Sequence, residues 1–229
     1  MRFKSGMMSS SSGSLGGLVF SHNAGGQYVR ARVTPTNPGT IYQTTVRQIV
    51  ASLVNLWANV LTQAQRDAWD VYAGNVPLPD VFGDPRYRSG INHYVRSNTP
   101  RLQFGVARID VAPGIFDVGE YTLPVVTAQE AGQTLTTAFT DADDWTSEDG
   151  AALLSWCSRP QNPSILFFKG PYRAQNIVLG NSVTPPTNPD IHSAPFNFVE
   201  GQKLFTKYNV IRSDGRLGTV TRTFCLAAA

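Results

Sequence analysis

The stretch TIYQTTVRQIVASLVNLWANVLTQAQRDAWDVYA, residues 40–73, is the most strongly patterned part of this chain. Between Val46 and Val60 its apolar residues recur at three- and four-residue steps, which is the stripe of an amphipathic helix. Two threonines are each followed three residues later by a glutamine, the spacing of a capping box. These pairs are Thr40–Gln43 and Thr62–Gln65. The stretch therefore predicts two helices joined by a very short link.

Two capped helices this close in sequence are expected to fold back on each other as a hairpin. We predict that Trp57 and Trp69 are the packing anchors of that hairpin. Further along, Ser89 has the position of an N-cap for a third short helix, which Pro100 brings to an end. Residues 40–110 are therefore expected to form a small unit of three helices.

The region before the hairpin is expected to be an extended assembly arm, residues 1–39. Residues 1–27 are rich in serine and glycine, which predicts a flexible coil. In the sequence YVRARVTPTNPG that follows, three basic or aromatic residues alternate with three small apolar ones, which predicts an extended segment. Such a segment fits strand addition to a neighbour's sheet, or an edge strand of its own domain. The predicted subunit-interaction residues are Tyr28, Arg30, Arg32 and Val33.

From about Val111 the sequence changes to short β-rich runs separated by turn residues. The runs are Tyr121–Thr127, Thr134–Thr140, Leu153–Ser158, Ser164–Lys169, Asn176–Leu179, Lys203–Arg212 and Thr219–Phe224. Seven such runs in a segment of this length predict an antiparallel β-sandwich over residues 111–229, with Trp156 as a large buried aromatic. The pattern resembles fibronectin type III and immunoglobulin-like domains. The predicted fold class is therefore α+β, in the order arm, helical hairpin unit and immunoglobulin-like sandwich.

Charge is distributed unevenly along the chain. The residues up to Asp110 carry a net charge of +6, whereas those from Val111 onwards carry a net charge of −3. A basic front half suits an acidic partner surface or nucleic acid, although a solvated basic arm gives the same composition. The residues Tyr28, Arg30, Arg32 and Arg96 could form a basic aromatic patch for nucleic acid, but no nucleic-acid motif surrounds them. Pairing with carboxylates of a neighbouring subunit, such as the acidic sandwich of another copy, is favoured because the two halves of the chain carry opposite charge.

The candidate chemical motifs are weak, so we predict no enzymatic activity, cofactor or metal. The segment DADDWTSEDG, residues 141–150, carries five carboxylates but lacks the glycine and glutamate of an EF-hand loop, which favours a solvated turn over a calcium site. The three histidines of the chain, His22, His93 and His192, have no catalytic partner at a suitable spacing. The glycine-rich segments GSLGG and NAGGQ lack the lysine of a P-loop.

The cysteine content and the length of the apolar segments indicate in which cellular compartment the protein is expected. Cys157 and Cys225 are too few for a disulfide scaffold, and they would pair only on facing strands. Free buried thiols in a reducing cytoplasm are the favoured interpretation. No apolar segment approaches the ~20 residues of a membrane span, and no secretory signal is expected.

Several stretches in the first hundred residues resemble a group of tailed-phage and prophage proteins. They are GGQYVRARVTPTNP at 25–38, Gln43 with Val46 and Arg47, Trp57, Leu61-Thr62, Gln65-Arg66, Ala68-Trp69 and HYVRSN at 93–98. The group shows arginine-rich extended residues, an NP-T turn and a "W…LT..QR..W" hairpin. This chain departs from the group at residues 21–24, where Ser-His-Asn-Ala replaces an arginine-bearing tetrapeptide.

The resemblance implies a non-enzymatic virion structural protein, made in the host bacterial cytoplasm. Its expected partners are other virion proteins, such as the major capsid protein or tail proteins, and copies of itself, with neither nucleic acid nor a membrane. Within this class a capsid decoration protein is favoured, followed by a tail or head–tail connector component. The alternatives are a host-surface adhesin whose sandwich loops bind glycan, and an enzyme that uses His93 or the 141–149 carboxylates.

Overall fold

The computed structural model describes residues 12–23, 26–34, 36–80 and 82–229. The chain divides into two compact units. The first contains the residues up to Thr44 together with Pro79–Arg86, and the second contains Thr45–Leu78 and Tyr87–Ala229. The predicted class is confirmed at a coarse level, because the second unit combines helices with a large β-sheet.

The first unit contains a three-stranded antiparallel sheet, with strands in the order β1-β2-β3. Its strands are β1 (Gly13–Leu15), β2 (Leu18–Asn23) and β3 (Gly26–Ala31). Gly16 and Gly17 make the first turn with φ of +53° and +84°, the left-handed conformation that a two-residue hairpin turn requires. The predicted coil over residues 1–27 is therefore wrong for residues 13–23 and 26–27, because the glycine pair makes a turn that lets Leu18–Phe20 pair on both sides. Residues 1–11, 24 and 25 of that prediction lie outside the described residues.

Three helices and a small ribbon follow. The helices are α1 (Ile41–Asn59), α2 (Gln63–Asn75) and α3 (Gly90–Gln103), and the ribbon pairs β4 (Leu78–Pro79) with β5 (Pro85–Arg86). The capping box at Thr62 is confirmed, since Gln65 and Thr62 each bond the other's backbone N–H. Ser89 is the N-cap residue of α3, but its side chain makes no cap bond. Asp70 of α2 instead accepts the Gly90 N–H at 2.7 Å.

The helices pack around Tyr94 of α3, whose side chain is fully buried. Its ring centroid lies 5.5 Å from that of Trp57 on α1 and 5.7 Å from that of Trp69 on α2. Leu53 and Tyr72 complete the buried cluster. Both predicted anchors therefore belong to one aromatic cluster, with the tyrosine of the third helix between them.

The second half of the chain forms a seven-stranded sheet that curves almost into a barrel. Its strands are β6 (Val125–Gln129), β7 (Thr134–Ala138), β8 (Ala152–Cys157), β9 (Arg173–Leu179), β10 (Asp190–Ser193), β11 (Lys203–Ile211) and β12 (Thr221–Ala228). Their order is β10-β7-β6-β12-β11-β8-β9. The two end strands meet through side chains, since the Asn176 amide of β9 donates to Asp190 of β10 at 2.7 Å.

Two clusters of buried side chains fill the inside of this curved sheet. One cluster contains Leu135 of β7, Leu204 of β11 and Cys225 of β12. The other contains Trp145, which lies in a 3-10 turn at Asp144–Ser147, and Tyr208 of β11. The Tyr208 hydroxyl is 3.1 Å from that of Thr137 on β7, so strands far apart in the strand order face each other.

The predicted set of strands needs correction at two places, one strand too many and one too few. The run Ser164–Lys169 is not a strand, although it is rich in apolar residues. This run is a loop on the outside of the sheet. It contacts the sheet through its side chains, with the Phe168 ring stacked on Phe205 of β11, and its backbone pairs with no strand of the described residues. The strand β10 was not predicted. Trp156 is buried, as expected, but it packs against Phe104 on the outer face of the sheet.

The helices of the second unit are hydrogen-bonded to backbone carbonyls of the segments that flank the strands of the large sheet. Arg101 of α3 donates to the Arg212 carbonyl at 3.0 Å, and Arg96 donates to the Gly218 carbonyl at 3.1 Å. The Tyr72 hydroxyl of α2 donates to the Asp117 carbonyl at 2.7 Å. The boundary predicted near residue 110 therefore separates two parts of one compact unit.

Candidate interaction surfaces

The three histidines lie on different elements. His22 is exposed on β2, whereas His192 of β10 is hydrogen-bonded to Asp190 at 2.8 Å through Nδ1. His93 of α3 is fully buried against the Tyr72 ring, and neither of its ring nitrogens has a hydrogen-bond partner. Burial lowers the pKa of His93 to about 4, and repulsion from Arg96 and Arg88 adds to the effect. This histidine is a neutral core residue at pH 7.

The acidic residues 141–149 hold loops together. Asp143 accepts the Thr122 N–H at 2.9 Å, and Asp149 accepts the Ser182 N–H at 2.9 Å. The hydrogen bonds from Ser182 lower the pKa of Asp149. Burial alone would raise the pKa of Glu148, but hydrogen bonds from Ser213 and Arg212 bring it below its usual value. In the described part of the chain, no group of three His, Cys, Asp or Glu side chains is placed to hold a metal ion.

Both cysteines are buried free thiols. In the strand register, Cys157 of β8 lies opposite Thr206 of β11, and Cys225 of β12 lies opposite Leu204 on the other side of β11. With one strand between them, their Cα atoms are separated by roughly 10 Å, beyond the ~7 Å that a disulfide can span. Burial raises the pKa of Cys157 to about 12 and that of Cys225 to about 11, so both remain protonated.

The predicted interaction residues of the arm lie on and just after β3. Tyr28 is half-buried and Arg30 is exposed, both on the face opposite Val29. The backbone N–H of Arg32 donates to the Gly17 carbonyl at 2.7 Å, and Val33 is 74% exposed. Since β3 is an outer strand of its sheet, the structure contains the edge strand that was one of the two expectations for this segment.

The N-terminal sheet has two chemically different faces. Paired residues of an antiparallel sheet share a face, and the register therefore places Leu15, Leu18, Phe20, Val29 and Ala31 on one side, with the polar pair His22 and Gln27 at the far end of the same side. The opposite side carries Ser14, Val19, Ser21, Tyr28 and Arg30. None of the described residues between 12 and 44 is buried, and Leu15 is 74% exposed. The apolar face of this sheet is therefore exposed at Leu15 and Leu18 and half-buried at Phe20 and Val29.

A second surface, on the outside of the large sheet, was not predicted. Four aromatic rings lie together there: Phe168 is stacked on Phe205 with centroids 5.6 Å apart, and Tyr172 and Phe224 flank this pair at 5.2 and 5.9 Å. A groove of about 200 Å³ lies over them. The alternation of Arg222, Phe224 and Leu226 along β12 is the sequence signal that indicates such an outward face, since all three are exposed.

Three cations accompany these rings. The Lys207 ammonium lies 3.9 Å from the centre of the Trp156 ring, and the Lys203 ammonium lies 4.7 Å from that of Phe224. Arg222 of β12 is directly opposite Lys207 in the strand register. Burial lowers the pKa of Lys207 to about 8, and repulsion from Arg222 contributes. No ion pair of the described residues involves any of the three.

Comparison of the chain with protein-family models, with curated proteins and with solved structures finds no match. None of the helices in the described residues has both the length and the apolar character needed to cross a membrane.

Proposed function

We propose that this chain is a non-enzymatic structural protein of a bacteriophage virion, attached to its particle through the N-terminal unit. A capsid decoration protein is the favoured form, with the major capsid protein and further copies of the chain as partners. The observation that carries the proposal is the three-stranded sheet of residues 13–31, in which no described residue is buried.

A sheet of this size has little stability of its own. Isolated strands need a covered apolar face, because burial of apolar surface must offset the entropy lost on ordering the backbone. Here Leu15 and Leu18 of the apolar face are exposed, and Phe20 between the two neighbouring strands is half-buried. Binding to a neighbouring subunit would cover it and add the missing burial, which is the physical reason to assign assembly to this region.

The charge of the same unit indicates the kind of neighbour. Arg30 and Arg32 are exposed at the edge strand, and no ion pair of the described residues includes them. The first acidic residue of the chain is Asp67. A neighbour with carboxylates beside an apolar strip would match both the face and the edge of the sheet. The acidic loop 141–149 of another copy is a poor match, since most of its carboxylates already bond within their own chain.

We further propose that the large sheet is an immunoglobulin-like sandwich of the fibronectin type III kind. The strand order supports it: β10, β7 and β6 form one layer, β12, β11, β8 and β9 form the other, and β6 meets β12 at a short parallel seam. Side chains of both layers share one buried cluster. An experimental structure that joined β9 to β10 by backbone hydrogen bonds would identify a closed barrel instead.

The test compares particle incorporation of the full chain with that of a chain lacking residues 1–39. Particles from the source phage are purified on a density gradient, and the protein is quantified by mass spectrometry. We expect the full chain in the particles at tens to hundreds of copies, and the shortened chain to fold but remain unbound. Arg30→Ala combined with Arg32→Ala should weaken incorporation, whereas Arg159→Ala combined with Lys169→Ala, a matched loss of two exposed cations, should not.

The copy number separates the two structural roles. A number equal to one ring of subunits would identify a head–tail connector in place of a decoration protein. Normal incorporation of the shortened chain would overturn the role of the N-terminal unit, and absence of the full chain from the particles would overturn the virion assignment.

A further inference from the structure

The outer groove of the large sheet combines apolar and cationic groups in a way that the fold itself does not need. Leu166, Phe167 and Phe224 are 89%, 75% and 53% exposed at its rim. Apolar side chains gathered at such exposure mark interaction sites more often than isolated ones do. Phe205 is buried and stacked by Phe168, so the floor of the groove is held in place.

The cations of the groove have no anionic partner within the described residues. Arg222 lines the groove, and Lys207 lies opposite it on the neighbouring strand. Like charges directly opposite each other destabilise a sheet. Among the described residues, none that lines the groove is acidic, and no ion pair involves Arg222 or Lys207. The repulsion between these two cations is therefore not relieved within the described part of the chain. A bound carboxylate would relieve it.

We propose that this groove binds a segment of a partner protein that carries an apolar anchor side chain close to an aspartate or glutamate. The anchor would occupy the space between Phe167 and Phe224, and the carboxylate would reach Arg222 and Lys207. A volume of about 200 Å³ accommodates one or two side chains, which is the size of a peptide anchor. This site lies in the second unit and goes beyond the assembly role proposed for the first.

Other polar ligands fit the groove less well. A single-stranded nucleic acid needs a track of cations along its backbone, whereas Arg222 is the one cation among the described lining residues and Lys207 lies opposite it in the strand register. A saccharide presents many hydroxyl groups that must remain hydrogen-bonded. Among the described lining residues, Thr223, Tyr172 and Arg222 are the ones with polar side chains, and the Tyr172 hydroxyl already donates to the Phe168 carbonyl.

The experiment measures peptide binding to the full chain by fluorescence anisotropy. The probes are fluorescein-labelled dodecapeptides that carry one phenylalanine or leucine and one aspartate, one to three residues apart, in a Gly-Ser background. Matched peptides replace the aspartate by asparagine. We expect at least one acidic peptide to bind, with affinity about tenfold or more above its asparagine counterpart, because a charge-assisted pair is lost in the latter.

Variants of the protein locate the site. Arg222→Gln and Phe224→Ser should each weaken binding about tenfold, whereas Lys169→Gln, which removes an exposed cation outside the lining, should leave it unchanged. Thermal unfolding of each variant checks that the exposed substitutions leave the fold intact. The chain lacking residues 1–39 should bind the peptides like the full chain, so the outcome is independent of the proposed assembly role.

Three results would overturn the proposal. The first is that none of the acidic peptides binds, and the second is that asparagine peptides bind as well as aspartate ones. The third is that labelled oligothymidylate or an oligogalacturonate binds in an Arg222-dependent manner, which would assign the groove to nucleic acid or to an acidic saccharide.

Discussion

The three-stranded sheet and the seven-stranded sheet of this chain differ in how their apolar faces are covered. In the large sheet, Leu135, Leu204 and Tyr208 are at most 1% exposed, and side chains from distant strands pack over them. In the N-terminal sheet the apolar face includes Leu15 and Leu18, which are 74% and 44% exposed. Both sheets have regular strand pairing, but apolar area removed from water supplies most of the stability of a layer, so we expect the N-terminal sheet to be the weaker of the two.

The largest expected effect is the loss of Trp145, which fills the inside of the large sheet. Its ring lies 5.1 Å from that of Phe139, and its side chain is 1% exposed. Trp145→Ala should lower the free energy of unfolding by about 3–5 kcal/mol, because it leaves a large cavity. Urea denaturation followed by circular dichroism measures the change. Trp145→Phe, which retains one ring, should cost clearly less, and equal costs would contradict the cavity account.

The next effect depends on pH and tests the buried histidine of the helices. The pKa of His93 in the folded state is about 4, below its ordinary value of 6.5, so the unfolded state binds the proton more tightly. Stability should therefore be full above pH 6.5 and fall as the pH drops towards 4, with a loss of roughly 3 kcal/mol.

The matched variant for this pH effect is His93→Leu. Its free energy of unfolding should change less between pH 7 and pH 4 than that of the natural protein, as measured by urea denaturation at each pH. The same pH dependence in both proteins would show that other groups cause the acid loss.

A smaller effect is expected at the contact between α2 and α3. Asp70 accepts the Gly90 N–H, and a Cβ on Gly90 would lie 2.6 Å from the Asp70 backbone nitrogen, so the two helices approach closely there. Asp70→Ala should cost about 1 kcal/mol in the free energy of unfolding, the usual value of a lost helix cap. Asp67→Ala, on the same helix but bonded to Gln63, is the control and should cost less.

The smallest effect is expected in the N-terminal sheet. Phe20 is half-buried on β2, so Phe20→Ala should change the free energy of global unfolding by less than about 0.5 kcal/mol. In hydrogen-exchange measurements on the free protein, amides of β2 and β3 should exchange far faster than those of β8 and β11. Slow exchange in β2 would mean that this sheet is stable on its own, which would remove the difference between the two sheets.

Features formed by residues close together in the sequence were predicted best. The capping box at Thr62 involves residues three apart, so it was predicted correctly. The run Ser164–Lys169 was mispredicted, because strand propensity does not distinguish pairing of a backbone from stacking of a ring such as Phe168 on Phe205. The outer groove was missed because its rings and cations come from a loop and two strands, far apart in sequence.

Neighbouring residues and composition were enough to specify the two kinds of secondary structure, the capping box at Thr62 and the uneven charge. Tertiary structure alone decided that Tyr94 lies between Trp57 and Trp69, that the two thiols flank one strand, and that Arg222 faces Lys207. These relations depend on strand order and helix packing, which bring together residues whose spacing in the chain carries no record of their contact.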